Sequence, residues 1–435
     1  MKNTLLFITK KSLLTPIAII AFTFFATAQD TAIEWQKCFG GSDYDLPEKA
    51  IATADGGLVV IGTTLSNDGD VTGNEGGYDA WIIKLDAEGN LQWQKTIGGN
   101  YDDFAYGISQ MSSGDYLVAG KTNSTAGTLS ATNGMYDGWF AQLSGDGKIL
   151  WTKTMGTHGD DCFNAVFECE NENIVVAGSI SRGTEGEQGY TDYLLMKINA
   201  AGKILWAKPY GGSNEEELSS AVRTPAGDFL LCGYASSHDG MLAGARGNKN
   251  VWVIKTDANG NMYWRKIVGG GIKGNAVRCA VTNDSGFLIS GYQTLDEQHQ
   301  KTHFNVALFS NGGNEEWSYS FPENNYARYK GLRCTKQNDG GYFLGGIIKA
   351  EDANGYETMP EIFGMKLNSN GVPQWKQMLN SNQKDAAAIL FQSLDECFVF
   401  TGHKIAPATN DARRNGFADF CIMKIARGEL AFNKE

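Results

Sequence analysis

Short apolar runs that close on glycine punctuate the chain. They are GGLVVIG to Gly62, GDYLVAG to Gly120, NIVVAG to Gly178, GDFLLCG to Gly233, SGFLISG to Gly291, GGYFLGG to Gly346 and ECFVFTG to Gly402. Each is too short for a helix and is rich in branched and aromatic residues, which predicts a strand buried on both faces. A polar loop follows, then a second apolar run such as DAWIIKL from Asp79, then a turn, then a segment carrying tryptophan. Trp35, Trp93, Trp151, Trp206, Trp264, Trp317 and Trp375 recur at intervals of 53 to 58 residues.

One repeat therefore reads as four short strands. The first follows a Gly-Gly pair, as in LPEKAIATA; the second ends on the marker glycine; the third is the DAWIIKL type; the fourth carries the Trp. Strands three and four are joined by Asp86–Asn90 and, in later repeats, by residues 144–148, 199–203, 257–261, 310–314 and 368–372. An acid, amide or serine first and glycine fourth is the chemistry of a type I turn with a glycine bulge, where glycine takes the left-handed position without steric cost.

Glycine-punctuated four-stranded units of this length predict propeller blades, because a lone unit cannot bury both faces and radial packing lets each cover its neighbour. An open β-solenoid is the alternative. The expected fold is all-β, a seven-bladed β-propeller. Its blades fall near residues 40–97, 98–155, 156–210, 211–268, 269–321, 322–379 and 380–427, the last completed by 31–39. The chain begins with a fourth strand, Ile33–Phe39, and ends its repeats after a third, Asp419–Ile425. Pairing those two would close the ring and remove two exposed edges; Phe432 in the tail competes for the same place.

Composition then adds a compartment. The basic start MKNTLLFITKK, the apolar run SLLTPIAIIAFTFFATA and the small residues Ala26-Thr27-Ala28 read as a cleaved signal peptide over residues 1–28. Its loss removes three lysines and no acid, so formal charge moves from −12 to −15. Such a chain repels phosphate backbones, which argues against nucleic acid. Past residue 28 no apolar run is long enough to span a bilayer. Fifty-four glycines against eight prolines fit a protein made of tight turns.

An exported chain meets an oxidising compartment, so its eight cysteines are free to pair. None forms a CxxC or a zinc spacing. In one register of the closing strand, Cys38 opposes Cys421 and a disulfide follows; a one-residue slip separates them. Cys162 and Cys169 are seven apart and need an intervening turn to meet. Cys279 and Cys334 hold equivalent places in neighbouring repeats, which is poor bonding geometry. Cys232 and Cys397 sit in apolar runs and read as buried thiols.

The pattern W-x-K-x-x-G-G, then D-G-G-x-x-V-x-G, then D-x-W-x-x-K-L-D-x-x-G-N-x-x-W resembles a family of secreted repeat propellers common in bacteria with type IX secretion. It is carried by Trp35-Gln36-Lys37, Gly40-Gly41, Asp55-Gly56-Gly57, Asp79-Ala80-Trp81 and Lys84-Leu85-Asp86, and spans almost all of residues 33–425. The resemblance implies a surface or scaffold module. Many members carry a C-terminal sorting domain; no such domain precedes Glu435 here, which shifts the expected location from the outer-membrane surface toward the periplasm.

Candidate chemistry gathers at the start of the first strands. Seventeen residues before each marker glycine stand Asp45, Asp103, Asp161, Glu216, Gly274, Tyr329 and Asp385. Five acids on contiguous blades would form an arc at one channel mouth. Arg278, Arg333, Lys273, Arg328 and Lys330 would face it, and the result would be a polarised pocket. Calcium could bind such an arc, since it takes oxygens from convergent strands. The structural alternative is that each carboxylate caps local backbone amides. Asp68-Gly69-Asp70 looks like part of a calcium loop but reads better as a solvated turn, and His299 and His303 read as a solvated pair. Asp79, Asp137, Asp192, Glu361 and Asp419 open third strands, while Lys84, Lys197, Lys255, Lys366 and Lys424 lie five residues further on. Five residues along a strand reverses the face, so these are not internal pairs. GxSxG, HExxH and P-loop patterns are absent. The expected function is an exported, non-catalytic propeller that binds a protein partner in an envelope assembly. The alternative is a glycan-binding or glycan-cleaving propeller that uses the arc.

Overall fold

A computed structural model describes residues 33–130, 134–182, 190–245, 249–268, 277–282, 286–296, 301–321, 328–336, 340–349, 361–379, 385–392, 398–404 and 418–425. The signal-peptide reading, Gly274, Lys273, His299, Cys397 and Phe432 lie outside the described residues. Asp385, Tyr329, Arg333, Arg328, Lys330, Cys334, His303 and Trp375 are described as backbone only.

Among the described residues the strands form seven four-stranded antiparallel sheets, an all-β arrangement consistent with a propeller. Sheet 1 has strands Asp45–Ala52, Leu58–Thr64, Asp79–Leu85 and Leu91–Ile97 in that order. Sheets 2 to 6 repeat the order, with first strands Asp103–Gln110, Cys162–Glu168, Glu216–Arg223, Arg278–Val281 and Arg328–Lys336. Sheet 7 takes Asp385–Gln392, Phe398–Lys404 and Asp419–Ile425 from the end of the chain and Ile33–Phe39 from its start. No described helix is long and apolar enough to cross a membrane.

The apolar runs are continuous because each sheet buries both faces. In sheet 1, Val59 and Ile61 pack with Tyr116, Val118 and Trp139 of sheet 2. The alternate residues Leu58 and Val60 pack with Val399, Phe420 and Ile422 of sheet 7. The core is thus a series of inter-sheet layers rather than one centre, each fully buried aliphatic contributing about 1.5–3 kcal/mol.

At several junctions tryptophan and the turn glycine of the next sheet touch; at Gly202 the neighbour is Lys153 instead. Gly147 has φ +83°, and a β-carbon there would lie 2.7 Å from the Trp93 ring of the preceding sheet. Trp35, Trp264 and Trp317 lie over Gly89, Gly313 and Gly371 in the same way. Their indole N–H groups donate to carbonyls of those turns, Ala87 at 3.2 Å and Asn311 and Ser369 at 3.1 Å. Two of the recurrent lysines also brace turns. Lys84 is buried and pairs at 2.9 Å with Asp55, in the turn between strands one and two; Lys255 pairs with Asp228 at 3.1 Å.

Cys38 faces Cys421 in the ladder between the first strand of the chain and the last, and the two are bonded across 383 residues of sequence. Cys162 and Cys169 lie along and just beyond one strand, and both are free.

Replacing Cys38 and Cys421 by serine should lower stability by about 2–5 kcal/mol, read from denaturant midpoints of the oxidised chain. Gly147→Ala should cost about 1–3 kcal/mol in the same measurement, through its positive φ and the Trp93 ring.

Candidate functional site

Two features converge where the sheets meet: a central cavity, and a set of carboxyl pairs at the junctions. The cavity has a volume of about 630 Å³ and is lined mainly by the first strands of sheets 1 to 5. Each first strand of sheets 1 to 4 carries a β-bulge three residues after its opening acid, and the extra residue is Glu48, Tyr106, Asn164 or Ser219. All four line the cavity. A bulge frees one residue from the ladder and re-aims its side chain, so the same local irregularity supplies the lining four times.

The wall is charged. Glu48, Asp160, Asp161, Glu215 and Glu217 share it with Lys49, Lys121 and Arg278. Arg278 donates to Ser219 O at 3.0 Å and reaches Glu48 Oε1 at 3.4 Å, which links sheets 5, 4 and 1. Lys121 lies over the Tyr136 ring, 4.4 Å from its centroid. Cys162 also lines the cavity, but burial pushes its thiol up to about 12, which leaves it a poor nucleophile near neutrality. His158 and His238, the histidines with described side chains, do not line it.

Of the residues proposed from sequence, Asp161 and Arg278 line the cavity. Asp45, Asp103 and Glu216 do not; with Asp161 they are almost fully buried. They cap backbone. Gly41 N–H donates to Asp45 at 2.8 Å, Thr157 N–H to Asp161 at 2.5 Å and Gly212 N–H to Glu216 at 2.8 Å. Ser66 and Ser124 hydroxyls donate to Asp45 at 3.0 Å and Asp103 at 2.7 Å. The Asp68-Gly69-Asp70 turn binds the same segment, with Ser42 N–H donating to Asp68 at 2.7 Å and Gly40 N–H to Asp70 at 3.2 Å. Asp385, Tyr329 and Arg333 lie on first strands of sheets 7 and 6, and their side chains lie outside the described set.

Each buried first-strand acid meets the acid that opens the third strand of the preceding sheet. A β-carbon on Gly98 would fall 2.2 Å from Asp79 Oδ1 and 2.9 Å from Asp103 Oδ2. Gly40 stands likewise between Asp45 and Asp419, Gly156 between Asp137 and Asp161, and Gly211 between Asp192 and Glu216. Ladder register supplies two further junctions. Glu361 and Asp385 occupy both positions at one, and His303 and Tyr329 occupy both at another. Both positions are acidic or neither is. Independent caps would have no reason to appear and vanish together, so the two carboxyls act as a unit.

Burial raises Asp45, Asp79, Asp103, Asp161 and Asp192 first, and a nearby carboxylate adds to it. Asp79 stands at about 7, and Asp45 and Asp103 at about 6, despite hydrogen bonds that pull the other way. Asp192 also rises to about 6 through burial, although Arg182 pairs with it at 3.1 Å. Asp79 Oδ1 and Asp103 Oδ1 are buried without a hydrogen-bond partner. Among the described residues no group of three or more His, Cys, Asp or Glu is placed to hold a metal ion.

No protein-family model matches the chain, and no curated protein does. Similar solved structures include a protein of unknown function from Dyadobacter fermentans, at 11% identity over 91% of this chain and 99% of that one, with TM-score 0.45. YCF48 bound to D1 peptide matches at 8% over 89% and 98%, TM-score 0.47. The NanB sialidase from Streptococcus pneumoniae matches at 8% over 93% and 71%, TM-score 0.47. Likeness at this level carries no argument about this chain.

The junction acids set a pH dependence. The unfolded chain releases these protons near 3.8, whereas the folded chain keeps them until about 6–7, so the folded state holds more protons in between. Their stabilising contribution is full below pH 4 and is lost as pH rises toward 7. Urea midpoints measured from pH 4.5 to 7.5 should fall with rising pH, and Asp79→Asn should flatten that slope.

Proposed function

We propose that this chain is an exported, closed seven-bladed propeller that binds a protein partner in the bacterial envelope and does not turn over substrate. Three contacts support closure: the first strand pairs with the last, the Cys38–Cys421 bond joins them, and sheet 7 packs on sheet 1. The disulfide and the signal-peptide pattern both favour an oxidising location, the periplasm or the outer-membrane surface. Against nucleophilic catalysis by Cys162 stands its burial in the cavity wall, which holds its thiol protonated.

One observation carries the binding reading. The residue before each fourth-strand tryptophan is exposed, and in sheets 2, 3 and 4 it is apolar: Leu150, Leu205 and Tyr263, at 51%, 49% and 60% exposure. In sheets 1, 5, 6 and 7 the same position holds Gln92, Glu316, Gln374 and Glu34. Ile204 and Ile267 extend the apolar run, and exposed Lys148, Lys203 and Arg265 frame it in an otherwise acidic chain. Apolar side chains confined to three consecutive sheets and rimmed by cations suit a partner surface that is apolar at its centre and acidic at its edge.

A second reading, a glycan site, draws on Tyr44 and Tyr101. They are 40% and 54% exposed and lie beside the first-strand starts, close to Asp43 and Asp102.

The triple variant Leu150→Asp, Leu205→Asp, Tyr263→Asp should fold normally and lose at least about tenfold of the wild-type yield of its envelope partner in quantitative co-purification. Undiminished capture by the variant would reject this surface. Loss of binding only in Tyr44→Ala and Tyr101→Ala, on a glycan array, would favour the second reading.

A further inference from the structure

Sheets 4 and 5 meet at two thiols that no other part of the fold uses. Cys232 lies on the second strand of sheet 4 and is fully buried; Cys279 lies on the first strand of sheet 5 and is partly exposed. Both belong to the apolar layer between these sheets. The first strand of sheet 5 packs on the second strand of sheet 4 there. Ser220 fixes the arrangement from the first strand of sheet 4. It is the ladder partner of Cys232, its hydroxyl accepts the Cys279 N–H at 3.4 Å, and it lies 3.5 Å from Cys279 Sγ. Cys279 Sγ is also 4.0 Å from Leu230 O, two residues before Cys232. The Cys279 sulfur therefore rests on the sheet that carries Cys232. On its other side Cys279 lines the central cavity together with Arg278 and Lys49.

We infer that Cys279 and Cys232 form a redox dithiol, with Cys279 the nucleophile reached through the cavity, Cys232 the resolving thiol, and a disulfide between sheets 4 and 5 the oxidised form. The co-reactant is an external disulfide. The Cys279 thiolate attacks one of its sulfurs, forms a mixed disulfide and releases the other half as a thiolate. Cys232 then gives up its proton and attacks Cys279 Sγ, which closes the intramolecular bond and expels the second half. Two electrons pass from the protein to the external disulfide, which leaves as two thiols.

The surroundings fit these roles. Burial disfavours the Cys279 thiolate, but its polar neighbours Cys232 and Ser220 and the charges of Arg278 and Lys49 outweigh it and hold the thiol below its ordinary value. A lowered, accessible thiol is the one that attacks. Burial holds Cys232 well above its ordinary value, as suits a group that reacts only with a sulfur already beside it. Cys162 lines the same cavity but is raised to about 12. Oxidation would also fix the cavity wall, because Arg278, next to Cys279, links to Ser219 of sheet 4 and Glu48 of sheet 1.

The test uses the full oxidised chain and glutathione as the external disulfide. After equilibration in oxidised glutathione, the chain is acid-quenched, unfolded without reductant, alkylated and peptide-mapped. The expected map links the Cys232 peptide to the Cys279 peptide and leaves Cys162 and Cys169 alkylated. Cys232→Ser should trap glutathione on Cys279 at several-fold higher occupancy than on Cys162. Arg278→Gln should slow alkylation of Cys279 at pH 7 several-fold and move its pH profile upward. Alkylated Cys232 and Cys279 in the wild-type map, a result that does not depend on any variant folding, would overturn the assignment. Equal glutathione on Cys162 and Cys279 in Cys232→Ser would do the same.

Discussion

At four junctions, those of Trp35, Trp93, Trp264 and Trp317, an indole laid across a glycine registers one sheet on the next. The fourth-strand tryptophan needs a flat, side-chain-free surface, and the bulge glycine of the following turn supplies one because its positive φ already excludes most other residues. The same ring donates its N–H to a carbonyl of that turn, so position and orientation are both fixed. Once the turns are in register, the second strands bury alternate residues against opposite neighbours. The inner strands are then held close enough to share a cavity. The last junction is different: its fourth strand comes from the other end of the chain, and a covalent bond holds it there.

The inner ends of the junctions obey a second constraint. Two carboxyls meet around each of four glycines, all of them buried except the half-buried Asp419 at Gly40. Such a pair resists full ionisation, and Asp45, Asp79 and Asp103 stand above the usual carboxylate range. Arg182 pairs with Asp192, which still stands above its ordinary value because burial outweighs the guanidinium. Stability at these points is thus coupled to pH. The sheets lacking acidic pairs at their shared junctions, 4 to 6, carry Arg278 instead, and that guanidinium spans the cavity to Glu48.

Local pattern carried much of the architecture. Strand order, the glycine-bulge turns and the place of Trp35 as a fourth strand could be read from runs and intervals, because hydrogen bonding within a hairpin depends on residues close in sequence. The acids at the first-strand starts were visible too, and so were the acids that open third strands. Their partnership was missed because the latter were compared with lysines of their own strand, whereas the contact runs between sheets. Glu48, Tyr106, Asn164 and Ser219 carried a weaker signal: each stands three residues past an opening acid, yet nothing in its type marks a bulge.

The sequence by itself determined that the chain would make repeated four-stranded sheets and that its two ends were candidates to complete one of them. Which register that pairing took, and hence whether Cys38 met Cys421, was decided by backbone alignment in three dimensions. Tertiary packing alone placed Cys279 on Cys232 and drew Asp79 to Asp103. Periodicity encodes which face a side chain takes within its own sheet. The neighbour it meets there depends on how that sheet is rotated against the next, and no interval along the chain records that angle.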